Sequence, residues 1–416
     1  MYSPKLDDII PENWYNVVPD LPEQLAPPKD SSVEKSSIEL LKRVLPSKLL
    51  EQEFSFNRYE KIPDEIRDLY IQIGRPTPLI RAINLEKKLG YRGKIYYKYE
   101  GATATGSHKI NTAIPQAYYA SEEGVREVVT ETGAGQWGTA TALAASLNDM
   151  KCKVFMVSTS FRQKPLRKQI MEVYGASVVP SPSGETKFGQ SILAKDQDHP
   201  GSLGIAISEA VEYALDHDVK YMLGSVMNSV ITHQSVIGLE SRKQLEIEGE
   251  HADVLIGCVG GGSNFSGFVF PFLDQENEMI ASTAEEVPKL TKGEYKYDFI
   301  DSAGILPQLR MYSLGADFVP AGIYAGGLRY HGAAPSLSSL IHNGRIRAEE
   351  IQENEVIAAM RLFANTQGVI CAPESGHAIA SALRYIKANP DSRKTVVVNV
   401  SGHGLLDLSI FQKEMK

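Results

Sequence analysis

Lys109 is the residue whose type and position most directly suggest chemistry. It lies in the run Gly106-Ser107-His108-Lys109-Ile110-Asn111, between a predicted strand over residues 94–99 and a predicted helix over residues 112–121. A lysine at a strand-to-helix turn can reach into a pocket and form a Schiff base with a carbonyl cofactor. A solvated lysine at the start of a helix is the simpler alternative for this residue taken alone.

Two glycine-rich turns are candidate anion sites. Residues 131–136 (ETGAGQ) follow a predicted strand and open a predicted helix, so their backbone N–H groups suit a substrate carboxylate. Residues 260–264 (GGGSN) follow another predicted strand over residues 254–259. They form the stronger phosphate cradle, because three glycines let the backbone close around a dianion. A dinucleotide turn is the alternative, but the G-x-G-x-x-G spacing is absent.

Ser401 follows the last predicted strand, residues 395–400, in the run SGHG. Its hydroxyl could hydrogen-bond a neutral ring nitrogen, and a helix cap is the alternative. All these segments come directly after predicted strands, where open α/β sheets bind ligands. From residue 75 onward, strands and helices alternate, which predicts parallel sheets covered by helices on both faces.

Together these stretches resemble the tryptophan synthase β-chain family, pyridoxal 5′-phosphate (PLP) enzymes of fold type II. The resemblance extends from about Gly74 to about Asp407 and includes GSHKIN, ETGAGQ, GGGSN, PESGHA and SGHG in the family's order. It implies two intimate parallel-sheet α/β domains with the active site between them. It also implies a PLP-dependent β-replacement that condenses indole with L-serine, or with O-phospho-L-serine, to give L-tryptophan.

The resemblance assigns roles to individual residues. Lys109 and Glu131 are the implied catalytic residues, Lys109 as the Schiff-base lysine and Glu131 as the acid–base. The implied PLP-binding residues are His108, Lys109, Asn111, Gly260, Gly261, Gly262, Ser263, Asn264, Glu374 and Ser401. The implied substrate-binding residues are Thr132, Gly133, Ala134, Gly135, Gln136 and Arg329. A monovalent cation is compatible with the family, and no other metal is expected.

The sequence also differs from the common type of this family. Trp137 follows ETGAGQ where the common type has histidine, and Arg329 stands where it has aspartate. With its long N-terminal arm, the chain is similar to the second, longer type of β chain found in many archaea and some bacteria. Arg329 could bind the phosphate of O-phosphoserine or form a structural ion pair when the site closes. These differences leave the amino-acid donor and an α-chain partner open.

The pattern predicts an arm and two domains in a chain of 416 residues, which exceeds the usual single-domain size. The arm covers residues 1–75, with predicted helices over residues 32–50 and 64–73. An N-terminal α/β domain over residues 76–235 would carry Lys109 and the carboxylate loop. A C-terminal α/β domain over residues 236–416 would carry the phosphate cradle and Ser401. The charged, aromatic segment 285–302 is predicted to be a surface insertion.

Composition limits the partners. The net charge of −8, with no basic stripe, argues against a nucleic-acid partner. Cys152, Cys258 and Cys371 are scattered, and we expect buried thiols in a reducing compartment. The first residues lack the order of a signal peptide, and no apolar run approaches membrane-spanning length. We therefore expect a cytoplasmic protein without a membrane partner, and the resemblance implies a homodimer.

Three alternatives stay open from the sequence. Another fold type II lyase, of the cysteine synthase or serine dehydratase type, would keep the lysine and the phosphate cradle but not the full motif set. A nicotinamide-dependent oxidoreductase would use the glycine turns for a dinucleotide. A non-catalytic binding protein would not need a lysine at residue 109.

Overall fold

The computed structural model describes residues 8–31 and 37–414. Its strands are β1 (Asn13–Tyr15), β2 (Tyr59–Lys61), β3 (Leu79–Arg81), β4 (Lys94–Tyr99), β5 (Glu127–Thr132), β6 (Lys151–Val157), β7 (Ala176–Ser181), β8 (Lys220–Tyr221), β9 (Val254–Cys258), β10 (Glu278–Ala284), β11 (Glu294–Phe299), β12 (Gln308–Ser313), β13 (Arg347–Ile351) and β14 (Thr395–Val400).

The helices follow the same order along the chain. They are α1 (Ser37–Val44), α2 (Ser47–Glu53), α3 (Asp64–Gln72), α4 (Ile83–Leu89), α5 (Ile110–Glu122), α6 (Gln136–Ser146), α7 (Ser158–Gln163), α8 (Pro165–Val173), α9 (Lys187–Leu193), α10 (Leu203–His217), α11 (Asn228–Gln234), α12 (Val236–Ile247), α13 (Ser263–Val269), α14 (Pro335–His342), α15 (Glu353–Gln367) and α16 (Pro373–Ala388).

A six-stranded sheet forms the larger framework, in the order β13-β10-β9-β14-β4-β3. Its strands are parallel except for the edge strand β3, which is antiparallel to β4. Every residue of β14 (TVVVNV) is buried, as expected for a strand covered on both faces. The sheet therefore brings the ends of β4, β9 and β14 together at one edge.

A smaller parallel sheet has the order β7-β6-β5-β8. Its central strand β5 ends at Thr132, and helix α6 begins four residues later at Gln136. Helices α6 and α10 pack on this sheet. Helix α6 buries nine of its 11 residues, among them four alanines between Ala140 and Ala145, and α10 buries nine of its 15. Small side chains let α6 pack closely, which fixes the turn between β5 and α6. The expected parallel α/β architecture is thereby confirmed.

The N-terminal arm packs on the body of the protein. Strand β1 pairs with β2, and Trp14 is fully buried with its ring centroid 4.6 Å from that of His233. The Tyr70 hydroxyl of α3 donates to the carbonyl of Asn111 at 2.6 Å. The arm thus contacts the helix that follows Lys109. Residues 32–36 of the predicted arm helix lie outside the described residues, and the remainder divides into α1 and α2.

The sheets do not follow the predicted domain boundaries. Strands β3 and β4, within the predicted 76–235 domain, belong to the six-stranded sheet with β9, β10, β13 and β14. The turn that carries Lys109 therefore extends from the larger sheet. The division of the chain into the two predicted domains stays a prediction. The segment with β3 and β4 comes from the predicted N-terminal domain but pairs with strands of the predicted C-terminal domain.

Segment 285–302 agrees with the predicted surface insertion only in part, because β11 has no buried residue whereas its flanking turns do. Val287, Lys289 and Ile300 are buried, and β11 pairs with β12 in a two-stranded antiparallel sheet. The charged and aromatic residues that suggested exposure alternate along β11, while its flanking turns enter the core. Among the described residues, no helix combines the length and apolar character required to span a membrane.

Candidate active site

One cavity lies where strands of both sheets end. Residues that lead into α5, the turn after β5, the turn after β9 and the residues after β14 all line it. The predicted site residues on its wall are His108, Lys109, Glu131, Thr132, Gly133, Ala134, Gln136, Gly260, Gly261, Gly262, Ser263, Asn264, Glu374 and Ser401. The structure therefore brings most of the predicted set together.

Lys109 immediately precedes α5 and is half-buried at the cavity. Burial lowers the pKa of its amine, and the carboxylates of Glu374 and Glu131 oppose that shift. Burial also lowers the pKa of His108 to about 3, with a further contribution from Lys109. His108 is therefore neutral at neutral pH. Its Nδ1 lies 3.2 Å from the Ser401 carbonyl, so this nitrogen carries the donated hydrogen.

The turn before Lys109 requires glycine at residue 106. Gly106 has φ +71°, and a Cβ there would lie 2.0 Å from Cδ2 of His403. The backbone N–H of His403 donates to the Gly106 carbonyl at 2.9 Å. The residues after β14 thus hold the turn from which Lys109 extends.

Glu131 reaches the cavity from the end of β5. The Tyr221 hydroxyl donates to its Oε2 at 2.6 Å. Burial raises the pKa of Glu131 to about 7, although the hydrogen bond from Tyr221 opposes that shift. A carboxyl group with this pKa can both donate and accept a proton near neutral pH.

The loop after Glu131, the predicted anion site, is compact. Thr132 Oγ1 accepts hydrogen bonds from the backbone N–H groups of Gly135 at 3.2 Å and Gly138 at 3.1 Å. Gly135 has φ +97° and precedes α6, so only glycine is unstrained there. Thr132 and the start of α6 therefore fix the shape of this loop.

The glycine turn after β9 leaves no room for side chains. A Cβ on Gly260 would lie 2.2 Å from the Gly327 carbonyl oxygen, and one on Gly261 would lie 2.4 Å from Ser225 Oγ. Gly262 has φ +112°. These close contacts and the positive φ of Gly262 therefore restrict all three positions to glycine.

Ser401 and Glu374 form the wall next to this glycine turn. The Ser401 and Ser375 hydroxyl oxygens are 2.8 Å apart, and Ser401 Oγ lies 3.7 Å from Cys258 Sγ. Glu374 Oε1 accepts from the Gly327 backbone N–H at 2.7 Å. Its Oε2 accepts from Gln136 Nε2 at 3.4 Å. Glu374 thereby connects the carboxylate loop to the loop that covers the glycine turn.

Comparisons with known proteins agree with this geometry. The family model "Pyridoxal-phosphate dependent enzyme" matches residues 71–402. The tryptophan synthase beta chain of Picrophilus torridus is 67% identical over 406 residues, covering 97% of each chain. The tryptophan synthase beta chain 1 of Sulfurisphaera tokodaii is 55% identical over 410 residues, again covering 97% of each chain. The chain belongs to the tryptophan synthase β-chain family.

Solved structures with low identity support the fold of this β chain. Threonine deaminase isoform 2 from Solanum lycopersicum superimposes with a TM-score of 0.64 at 18% identity, covering 94% of this chain and 98% of its own. Maize serine racemase gives a TM-score of 0.61 at 18% identity, covering 85% and 97%. The expected fold type II architecture is confirmed.

The cavity of the β chain fits PLP. Ser107 Oγ lines the cavity, is buried and has no hydrogen-bond partner among the described residues, so it is available to a ligand oxygen. The turn at Gly260 and Gly261 forms part of the cavity wall without side chains. Lys109 supplies an amine at the same cavity. A phosphate oxygen and an aldehyde thus each meet a suitable group in the cavity.

Three predicted residues lie outside this cavity wall. Asn111 is fully buried beneath it and contacts Arg75, Glu100 and Gln234 at 2.7–3.0 Å, which corrects its predicted contact with PLP. Gly135 lies in the backbone of the carboxylate loop. Arg329 lines an adjoining cavity that shares Gly133, Leu203 and Gly326 with the first.

The Arg329 side chain turns back onto its own loop. It donates to the Ile323 carbonyl through Nη2, whereas its Nε is buried without a partner among the described residues. Burial lowers the pKa of the guanidinium, and Glu374 and Glu353 oppose that shift. Arg329 therefore lies in the cavity next to the active-site cavity and does not line the active-site cavity itself.

Sequence reasoning missed several residues of the site. Tyr221 contacts Glu131, Ser375 contacts Ser401, and Ser107 and Ser225 line the cavity. Ser375 lies inside the PESGHA motif, which could have indicated it. Tyr221 lies 90 residues from Glu131, so no local pattern indicated that contact.

Proposed function

We propose that this chain condenses indole with L-serine to form L-tryptophan, in a PLP-dependent β-replacement. The observation that carries the proposal is the convergence of Lys109, Glu131 and the Gly260 turn on one cavity. The identity of 55–67% to named tryptophan synthase beta chains supports the same reaction. A lyase of the cysteine synthase or serine dehydratase type is the less favoured alternative.

PLP would be held by residues that extend from the larger sheet or from the helix packed on it. Lys109 Nζ would bind its aldehyde, and the Gly260–Asn264 turn with Ser107 and His108 would hold its phosphate. Ser401 would meet the ring nitrogen, and Glu374 would lie near the ring. Bound PLP supplies the electron sink that makes the α-proton of the amino acid acidic.

Lys109 would remove and later return the α-proton. Its lowered pKa increases the fraction of neutral amine, which is the form that accepts a proton. The N–H groups of residues 132–136 would bind the carboxylate of the amino acid and orient its α-carbon toward Lys109.

Glu131 would act at the β-carbon and on indole. With a pKa raised to about 7 by burial, it can protonate the leaving hydroxyl of serine and then accept a hydrogen bond from the indole N–H. A hydroxyl from Ser401, rather than a carboxylate, would leave the ring nitrogen neutral. That arrangement favours replacement at the β-carbon over transamination.

Borohydride reduction tests the proposal at its central residue. The purified protein should absorb in the visible range through its lysine-bound cofactor, and reduction should abolish that band. Peptide mass mapping should then place a pyridoxyl group on Lys109. A pyridoxyl group on another lysine, or no cofactor band after reconstitution with PLP, would contradict the assignment.

We further propose that Arg329 favours O-phospho-L-serine as the donor. A guanidinium pairs with phosphate bidentately, each charged hydrogen bond contributing about 1.5–3 kcal/mol. The alternative is a structural ion pair formed as the site closes. In that case Arg329 would serve both donors alike.

Donor kinetics separate these two roles. Arg329→Ala should lower kcat/KM for O-phosphoserine at least about tenfold more than for serine, and Arg329→Lys should recover part of the loss. An equal reduction for both donors would make Arg329 a gate rather than a phosphate ligand.

The assembly and location are proposed on the same basis. We infer a cytoplasmic homodimer, which light scattering would detect as twice the 45.7 kDa mass of one chain. A monomer at micromolar concentration would contradict the dimer. An α-chain partner is left open, because Trp137 and Arg329 differ from the common type of the family. Dependence of turnover on added potassium or sodium tests the monovalent cation.

A further inference from the structure

A buried ion cluster joins the two sides of the active site. Asp407 accepts from Lys164 Nζ at 2.7 Å through Oδ1 and from Arg167 Nη2 at 3.1 Å through Oδ2. Lys164 and Arg167 lie at the start of α8, which packs on the smaller sheet. Asp407 lies six residues after Ser401 on the side of the larger sheet. The cluster therefore connects two sheets that each contribute half of the cavity.

The arginine end of the cluster supports the carboxylate loop. A Cβ on Gly135 would lie 2.8 Å from Cβ and 3.1 Å from Cγ of Arg167. The aliphatic part of Arg167 thus forms the floor under Gly135. Arg167 is 2% exposed, so this contact is in the interior and not on the surface.

The aspartate end supports the turn that carries Lys109. The Asp407 N–H donates to the Gly404 carbonyl at 2.9 Å. The preceding residue, His403, hydrogen-bonds to Gly106. Gly402 also forms a β-bridge with Ser107. A short chain of contacts therefore leads from Asp407 to the turn before Lys109, and another leads from Arg167 to the loop that would bind the donor carboxylate.

We propose that Arg167 and Asp407 form a clasp that positions the 132–136 loop relative to Lys109 for binding of the donor's carboxylate. This inference rests on the proposed function and adds Arg167 and Asp407 as positioning residues, since neither lines the cavity. The aliphatic part of Arg167 packs under Gly135 and its guanidinium pairs with Asp407. Arg167 thereby holds the 132–136 loop at a fixed distance from Lys109. Loosening it lets the loop move away without disturbing the PLP-binding groups.

The net charge of the cluster offers an alternative to the clasp, because a positive charge behind the loop could by itself attract the donor's carboxylate. Burial alone would raise the pKa of Asp407, but Lys164 and Arg167 hold it below its usual range. Two cations and one anion leave one net positive charge behind the anion-binding loop. A further titratable group that interacts with the cluster is His403, whose pKa is lowered by burial and by Arg167, so it adds no charge at neutral pH.

Two substitutions distinguish the clasp from simple charge attraction. Arg167→Met keeps most of the aliphatic floor but removes the ion pair and one positive charge. Asp407→Asn also breaks the clasp, yet it raises the net positive charge behind the loop. If the clasp matters, both variants should weaken donor binding. If only charge matters, Asp407→Asn should bind the donor more tightly.

The experiment uses the PLP-loaded enzyme. For L-serine, KM and the midpoint of the serine-induced absorbance change should each rise about tenfold in Arg167→Met and Asp407→Asn. KM for indole, the cofactor band and kcat should stay within about threefold of wild type. Arg167→Lys should restore part of the serine affinity. Arg347→Met, which breaks an exposed pair with Glu349, is the matched control and should change neither quantity.

Several outcomes would overturn the clasp. Equal losses in KM for both substrates, or loss of the cofactor band in Arg167→Lys as well as Arg167→Met, would assign these residues a general structural role. Tighter serine binding by Asp407→Asn would assign the effect to charge. If wild type binds serine but forms no tryptophan, the proposed function fails, while the serine titration still tests the clasp.

Discussion

Glu131 and Lys109 reach the cavity from different sheets, and burial moves both pKa values toward neutrality. The two groups do not share a hydrogen bond in this structure. Each instead has its own surroundings, with Tyr221 holding the Glu131 carboxyl and the Gly106 turn holding Lys109. This separation suits two proton transfers at neighbouring carbons, one at Cα and one at Cβ.

Replacing the Glu131 carboxyl tests its proposed acid–base role. Glu131→Gln keeps the shape of the side chain and its contact with Tyr221, so PLP should still bind. Tryptophan formation should fall about 10²–10⁴-fold, the usual contribution of a general acid–base group. The measurement is kcat for indole with serine, alongside the cofactor absorbance.

Glu127→Gln is the matched control for that substitution. Glu127 begins the same strand and also accepts from a tyrosine, Tyr213, but lies at the opposite end from the cavity. Its substitution should leave turnover near wild type. If Glu131→Gln kept more than about a tenth of wild-type turnover, Glu131 would not be the acid–base.

Local motifs predicted the cavity residues that lie at the end of a strand or in the turn directly after it. Lys109, Glu131 and Gly260 each follow a strand that the sequence pattern indicated, so their placement at a sheet edge was predictable. Asn111 shows where such reasoning fails. Its side chain points into a buried network with Arg75 and Glu100, and neighbouring sequence does not determine which face of a helix meets which distant element.

At the scale of elements, strands were predicted more accurately than helix ends. β4 and β14 have the predicted bounds, because alternating or continuous apolar runs bounded by turns are distinctive. Two further helices, α11 and α12, meet directly at Ser235. Ser235 Oγ bonds outside the helix to the N–H of Tyr15 in the arm, a contact that sequence spacing does not reveal.

The arm makes a pH-dependent contact through α2. Half-buried Glu53 accepts from the backbone N–H and the hydroxyl of Ser229 at 2.8 and 2.9 Å. Burial raises the pKa of Glu53 to about 7, although its bonds with Ser229 and Asn228 oppose that shift. The folded protein then binds more protons than the unfolded chain between the ordinary glutamate pKa and about 7. Stability contributed by this residue therefore falls as pH rises through that window.

Glu53→Gln tests this contact, because glutamine keeps an acceptor for Ser229 but never ionises. The Tm of the variant relative to wild type should rise between about pH 5 and about pH 8. Glu51→Gln, in the same helix but exposed and paired with Lys48, should show no such trend. A pH-independent difference between Glu53→Gln and wild type would show that Glu53 stays ionised where the arm docks.

At the scale of the whole molecule, the larger sheet combines strands from distant parts of the chain. β4 lies between β3 and β14, and β14 follows β4 by almost 300 residues of sequence. Strand pairing at that separation depends on tertiary packing that local patterns do not encode. The order of motifs indicated the family. Only the sheet shows that β3 and β4, from the predicted N-terminal domain, pair with strands of the predicted C-terminal domain.

This arrangement has a consequence for the reaction. The Lys109 turn, the glycine turn after β9 and Ser401 all extend from one sheet, while Glu131 and the carboxylate loop extend from the other. Groups proposed to hold PLP therefore share a single framework. Glu131 and the carboxylate loop extend from the other sheet, and the ion pair between Arg167 and Asp407 connects the two sides.

Following the β-carbon of the donor tests the central claim most directly. Purified enzyme with PLP and indole is given L-serine labelled with carbon-13 at C3 and, in a parallel reaction, O-phospho-L-serine with the same label. Carbon-13 NMR should show the label at the β-carbon of tryptophan, with one indole consumed for each donor lost. Labelled pyruvate with indole unconsumed, from both donors, would contradict a tryptophan synthase and indicate a dehydratase instead.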